Sequence, residues 1–130
     1  MDTKKRHILL KDLEVYKLAR QLSGVGWEIY KNLNWQDKKT MGNQFITAVD
    51  SVGANIAEGY GRYHFLDKIR FLYIARASLA EALEHWLGLL KERDKISKED
   101  YTAFFDIANK TSLKLQNFIF ALYKAKSKIK

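Results

Sequence analysis

The chain has neither cysteine nor proline among its 130 residues. The missing thiol excludes disulfides, thiolate nucleophiles and cysteine-based zinc or redox sites, a usage compatible with a reducing cytoplasm. The missing proline leaves long, uninterrupted helices open to the chain. A long hydrophobic run is also lacking. The most apolar stretch, FLYIARASLAEALEHWLGLL, is broken by Arg76, Glu81, Glu84 and His85 and does not read as a membrane span. At the start, only Ile8, Leu9 and Leu10 follow the basic residues of MDTKKRHILLKD, too few for a secretion signal. The expectation is a cytoplasmic protein with no membrane partner.

Motifs for chemistry are equally scarce. Gly59-Tyr60-Gly61-Arg62 lacks the spacing and the Lys-Ser/Thr pair of a phosphate loop. Di-metal sites in helical bundles need Glu-x-x-His on two helices. Here Glu81 and His85 are four apart, Glu84 and His85 are adjacent, and no second histidine lies well inside a helical segment. No serine sits in a nucleophile turn, and His64 reads as a surface residue of a basic loop. The expectation is a protein that is not an enzyme and that holds no metal or cofactor.

What the chain does have is apolar residues at helical spacing: 47% of it is hydrophobic. Steps of three and four separate four segments, at about residues 12–34, 37–58, 66–93 and 98–126. Their inward residues are expected to be Val15, Leu18, Leu22, Val25 and Ile29; Met41, Phe45, Ala48, Val52 and Ile56; Ile69, Leu72, Leu79, Leu83, Trp86 and Leu90; and Tyr101, Phe105, Ala108, Leu115, Ile119 and Leu122. Asp37 is expected to cap the second helix, and Ser97, with Asp100 three residues on, the fourth. Connections of a few residues make consecutive helices antiparallel neighbours. The predicted fold is therefore all-α, an up-down-up-down four-helix bundle forming one domain over residues 1–130.

Charge is uneven along this bundle. Residues 4–11 carry four cations and residues 107–130 six lysines with no acid, while residues 12–106 hold 13 basic and 14 acidic residues. Antiparallel topology brings Lys4, Lys5, Arg6, Lys124, Lys126, Lys128 and Lys130 to the same end as Arg62, His64, Lys68 and Arg70. Such a pole fits a polyanion, through release of counterions from phosphates. Tyr60, Tyr63 and Phe65 interleave with the loop cations and could stack on unpaired bases. The alternative is that the lysines are merely solvated and the aromatics pack back on the bundle.

Ser51, Asn55 and Glu58 share one helix face at i, i+4, i+7, and Ser78 with Glu81 makes a second polar pair on the third helix. The expectation is one structural network closed by Arg62, with Gly59 as a left-handed helix cap and Gly61 as the turn. Off the seam, Phe71, Ile74, Ala82, Leu89, Phe104, Ile107 and Phe118 exceed what one bundle core readily hides, which favours self-association.

Gln44, Ala48, Ser51, the run Ala54-Asn55-Ile56-Ala57-Glu58-Gly59, then Gly61-Arg62, Phe71-Leu72, Ile74-Ala75 and Ser78-Leu79 with Glu81 together resemble the S23 ribosomal family, also called 23S rRNA intervening-sequence proteins. Leu13-Glu14-Val15-Tyr16-Lys17-Leu18-Ala19 fits the family's first helix, so the likeness spans about residues 11–122. The resemblance implies a small bacterial four-helix bundle assembling as a homopentamer, and it is similar to the nucleic-acid-binding accessory protein of diversity-generating retroelements. It implies RNA or a protein such as a reverse transcriptase as partner, and no catalytic activity. The chain departs from the family at Phe45-Ile46-Thr47, where two arginines are common, and at Ala77-Ser78, where Gly-Ser is common.

Overall fold

The computed structural model describes residues 8–128. After a short 3₁₀ turn, Leu10–Asp12, the first helix spans Glu14–Lys31. The second begins with one turn, Trp35–Asp37, passes through a π-helical turn at Lys38–Gly42 and continues as Asn43–Tyr60. The third runs Phe65–Ala80, then a π-helical turn Glu81–Trp86, then Leu87–Glu92; the fourth is Lys98–Ser127. Among the described residues there is no strand. Nor is any helix long and apolar enough to cross a membrane.

Helix ends follow local chemistry. The second helix is capped by Asn34, whose Oδ1 accepts from the Asp37 amide at 2.8 Å, so the cap lies three residues before the expected Asp37. Asp37 has a different task, an ion pair with Lys95 at 3.3 Å. Ser97 caps the fourth helix as expected, its Oγ accepting from the Asp100 amide at 3.0 Å. The third helix ends on Asp94, left-handed at φ 59°, which lets the Lys95 amide reach the Leu90 carbonyl at 2.8 Å.

Neighbouring helices pack with their chain directions opposed. Gly26 lies against Val49, and Gly53 against Ala19, pairing the first helix with the second. Ser51 meets Ser78 and Gly59 meets Lys68, pairing second with third; Tyr73 meets Tyr123 and Arg76 meets Gln116, pairing third with fourth. In every pair, later residues of one helix face earlier residues of the next. The Asp37–Lys95 pair joins the two loops at one end, and Tyr60 donates its hydroxyl to the Ile8 carbonyl at the other.

The core departs from the expected seam on three helices; on the first, Val25 is half-buried and Gly26 is the buried position. On the third helix the buried set is Ile69, Leu72, Ala75, Leu79, Ala82, Leu87 and Leu90, whereas Leu83 and Trp86 are half-buried at its rim. The π-helical turn adds a residue between Ala82 and Leu87, which rotates everything beyond it by one position. On the fourth helix Phe104 is fully buried and Phe105 is 40% exposed, the reverse of the expected order. The true stripe is Phe104, Ala108, Thr111, Leu115 and Ile119. Thr111 belongs to it because its hydroxyl donates to the Ile107 carbonyl at 2.7 Å and is thereby paired inside the core. Phe104 packs on Phe45 with ring centroids 5.3 Å apart.

Phe104 and Ala82 are therefore core residues and not part of an association surface, and Phe71, Leu89, Ile107 and Phe118 are half-buried. Of the residues expected off the seam only Ile74 is exposed. It is accompanied by Leu66 and Tyr73 on its own helix and by Leu113, Phe120 and Tyr123 on the fourth.

Candidate nucleic-acid interface

The expected polar network forms as three separate contacts. Ser51 and Ser78 share a hydrogen bond at 2.9 Å between the second and third helices, and Asn55 Nδ2 donates to both the Ser51 carbonyl and its Oγ, each at 2.9 Å. This is the part-buried piece. Glu58 pairs with Arg62 at 2.7 Å, but both side chains are about half exposed, so the pair stands apart from the serines. Glu81 accepts from the Trp86 indole at 2.8 Å across the π-helical turn and does not reach the second helix.

The glycines work differently from the expectation. No described glycine has positive φ, and Gly59 lies inside the second helix, which Gly61 closes at φ −79°. A Cβ on Gly59 would lie 3.0 Å from the Lys68 carbonyl oxygen and 3.0 Å from Phe71 Cβ. Gly59 is thus a point of close helix approach. It sets the start of the third helix directly against the end of the second, and this places the basic loop residues.

Around that approach the cations take distinct positions. Lys68 donates to the Tyr60 carbonyl at 3.0 Å, and burial pushes its ammonium below the ordinary lysine range. Arg70 lies 4.0 Å from Asp67. Arg62 and Arg70 each place their guanidinium 4.8 Å from the Phe71 ring, so one aromatic carries two cations. The sequence pattern assigns Phe71 only an apolar role; an aromatic one residue after Arg70 was the available signal. His64 is exposed, and its ring meets Tyr63 edge-on at 5.0 Å. Tyr63, 89% exposed, is the most open ring of the loop, while Tyr60 and Phe65 are half-buried.

The fourth helix completes this end. Tyr73 lies opposite Tyr123, their hydroxyls 3.4 Å apart, and because the two helices run in opposite directions the stretch from Tyr73 back to Lys68 and the stretch from Tyr123 on to Lys128 head toward the same end. Tyr123 is less acidic than an ordinary tyrosine because of that hydrogen bond. Lys124, Lys126 and Lys128 are exposed and have no ion pair among the described residues; Lys124 lies 5.8 Å from the Phe120 ring. Lys4, Lys5, Arg6 and Lys130 lie outside the described residues. The described face thus holds six permanent cations, from Arg62 to Lys128, two of them tied to Glu58 and Asp67.

Among the described residues no group of three or more histidine and carboxylate side chains could hold a metal ion. The cavities are open grooves. One of about 260 Å³ lies between the first two helices, lined by Tyr16, Arg20, Asp50 and Gly53.

Comparison with known proteins gives a family and a structural neighbour. Residues 11–117 match the family described as 23S rRNA-intervening sequence protein. A crystal structure from Bacteroides thetaiotaomicron, of a protein with unknown function from the S23 ribosomal protein family, is 27% identical, with a TM-score of 0.75 over 81% of this chain and 97% of that one. No curated protein matches.

Proposed function

The chain belongs to the 23S rRNA-intervening sequence protein family, and from that premise we propose that it is a non-enzymatic nucleic-acid-binding bundle that engages RNA through its basic end and assembles with further copies of itself. The observation that carries the reading is the row Lys124, Lys126 and Lys128, free of ion pairs among the described residues, on the part of the fourth helix that runs on from Tyr123 toward the end where Lys68 and Arg70 lie. Phosphates laid along this seam would meet cations from two helices, while Tyr63 at the loop tip offers a face for an unpaired base. Lys4, Lys5 and Arg6 would add to the same end by topology. The exposed Leu66, Tyr73, Ile74, Leu113, Phe120 and Tyr123 supply the apolar surface for self-association, and a ring would place several basic ends together. The same surface supports the second reading, a scaffold that recruits a protein partner without touching nucleic acid.

The test is RNA binding by fluorescence anisotropy across a salt series. Removing residues 124–130, which takes away four lysines, is expected to weaken binding and to reduce the salt slope by about 0.7 for each lost phosphate contact on a single strand. Lys110→Gln, the same charge change as Lys126→Gln but about 24 Å back along the helix, is expected to leave binding unchanged. Equal losses from both substitutions would refute the basic-end reading. No binding by the intact protein at low salt would replace it with the scaffold.

A further inference from the structure

The opposite end of the bundle carries a second arrangement of cations and rings. Trp35 is 75% exposed and Trp27 50% exposed. Trp27 stacks on Tyr30 with centroids 5.2 Å apart and planes 25° from parallel. Lys38 lies 5.2 Å from the Tyr30 ring and Lys39 5.1 Å from the Trp35 ring. These rings sit on a built corner. Tyr30 donates its hydroxyl to Asn43 at 2.7 Å, and its ring backs onto Gly42, where a Cβ would come within 3.1 Å of it. Trp35 starts the helical turn that Asn34 caps.

The charges of the corner are arranged to leave two cations over. Glu28 is paired with Lys31 at 3.0 Å, and Asp37, only 13% exposed, is paired with Lys95. Lys38 and Lys39 have no ion pair among the described residues and meet only the π faces. Flat apolar faces with a cation beside each are what a nucleotide requires, the ring for its base and the ammonium for its phosphate. An anionic bilayer also attracts tryptophan and lysine, but it requires a continuous apolar face. Along the chain from Trp27 to Gln36 the exposed residues besides the two tryptophans are Glu28, Lys31, Asn32, Asn34 and Gln36, and the carboxylate and amides among them are polar groups that a bilayer would have to bury and a base edge can use.

We propose that this corner, built by Trp27, Tyr30, Trp35, Lys38 and Lys39, is a stacking platform for unpaired bases of a single-stranded nucleic acid. It stands on observations separate from those of the basic end, from which the first helix, about 27 Å long, divides it. Double-stranded nucleic acid presents no free base face and is not its ligand.

The experiment titrates a 15-nucleotide oligothymidylate into the full chain carrying Lys124→Gln, Lys126→Gln and Lys128→Gln, reading tryptophan fluorescence, so that the basic end contributes least. The expected result is quenching that is lost in Trp27→Ala/Trp35→Ala, with about tenfold weaker binding for each ring removed. Trp35→Phe keeps the affinity, and Lys38→Ala/Lys39→Ala lowers the salt slope. All four side chains replaced in the corner are at least partly exposed, and circular dichroism checks that the helices persist. Quenching that survives the double alanine variant would come from Trp86 and overturn the proposal. So would a blue shift on phosphatidylserine vesicles without response to the oligomer, which makes the corner a membrane contact, or a smaller particle by light scattering in the alanine variant, which makes it an interface between copies. Loss of the quench with salt-dependent RNA binding retained by the intact protein would refute the platform alone; the converse would refute the basic end alone.

Discussion

Gly59→Ala tests whether close approach of the second and third helices, and not backbone freedom, explains this glycine. Alanine in a helix interior is favoured over glycine by about 1 kcal/mol. At Gly24 and Gly88 nothing lies within 4 Å of an added Cβ, so Gly24→Ala and Gly88→Ala should realise much of that gain, about 0.5 to 1 kcal/mol each. At Gly59 the new methyl would lie 3.0 Å from the Lys68 carbonyl oxygen and 3.0 Å from Phe71 Cβ. Carbon contacts are comfortable at about 3.5 to 4.0 Å, and neither atom can swing away on a flexible side chain. The third helix must retreat by about half an ångström, an overpacking cost of about 1 to 3 kcal/mol. The net expectation is a loss of about 1 kcal/mol, roughly 2 kcal/mol below Gly88→Ala, read as urea midpoints at unchanged slope. In thermal melts the two variants should lie on opposite sides of the parent, shifted by roughly 4 °C per kcal/mol. A Gly59→Ala midpoint raised as far as that of Gly88→Ala would sink the argument.

Four further substitutions separate the contacts described above. Asn55→Ala should cost about 1 kcal/mol, because it removes the side-chain amide that bonds both the Ser51 carbonyl and its hydroxyl, while Glu58→Ala stays within about 0.5 kcal/mol of the parent, its partner being an exposed arginine; equal losses in calorimetry would mean the two belong to one network after all. Phe45→Ala should cost about 3 to 5 kcal/mol through the cavity left beside Phe104, and a loss below 1 kcal/mol would remove that ring pair from the core. Asp94→Gly relieves a left-handed non-glycine residue and should raise stability by up to about 1 kcal/mol, with no gain showing that the φ of 59° carries no strain.

Periodicity carried far in the first two helices because their seams step regularly by three and four: Leu22, Ile29, Phe45, Val52 and Ile56 are all core residues. It failed on the fourth helix, where a threonine completes the stripe. Counting only apolar residues passes over Thr111 and so selects Phe105 in place of Phe104, although the self-satisfied hydroxyl makes threonine as acceptable inside as valine. The expected cap failed for a similar reason. Asn34 and Asp37 are both good capping residues, and only the Lys95 pair, far away in sequence, shows which of them is engaged elsewhere. Of the candidate site, the gathering of Arg62, His64, Lys68 and Arg70 around the junction of the second and third helices was legible from topology. The partners of those cations were not, since Asp67, Glu58 and the Tyr60 carbonyl are reached by side-chain geometry that spacing does not contain.

One backbone feature accounts for two of the remaining differences. The π-helical turn Glu81–Trp86 widens the third helix by a residue, so the positions that a regular helix would turn inward, Leu83 and Trp86, come to the rim, and Leu87 enters the core. The same widening carries the Trp86 indole to Glu81, five residues before it, and the two bond at 2.8 Å. Glu81 is thereby engaged on its own helix, which is why the second polar pair contributes only Ser78 to the contact with Ser51 and Asn55. Deleting Leu83 would restore a regular helical repeat through this turn. The expected outcome is a helix that keeps its circular dichroism and stays within about 1 kcal/mol of the parent, because Leu87 then follows Ala82 by four residues and, with Leu90, stays in the core. A loss of about 3 kcal/mol or more would show that Leu87 and Leu90 had left the core and that the π-helical turn is not where the extra residue is absorbed.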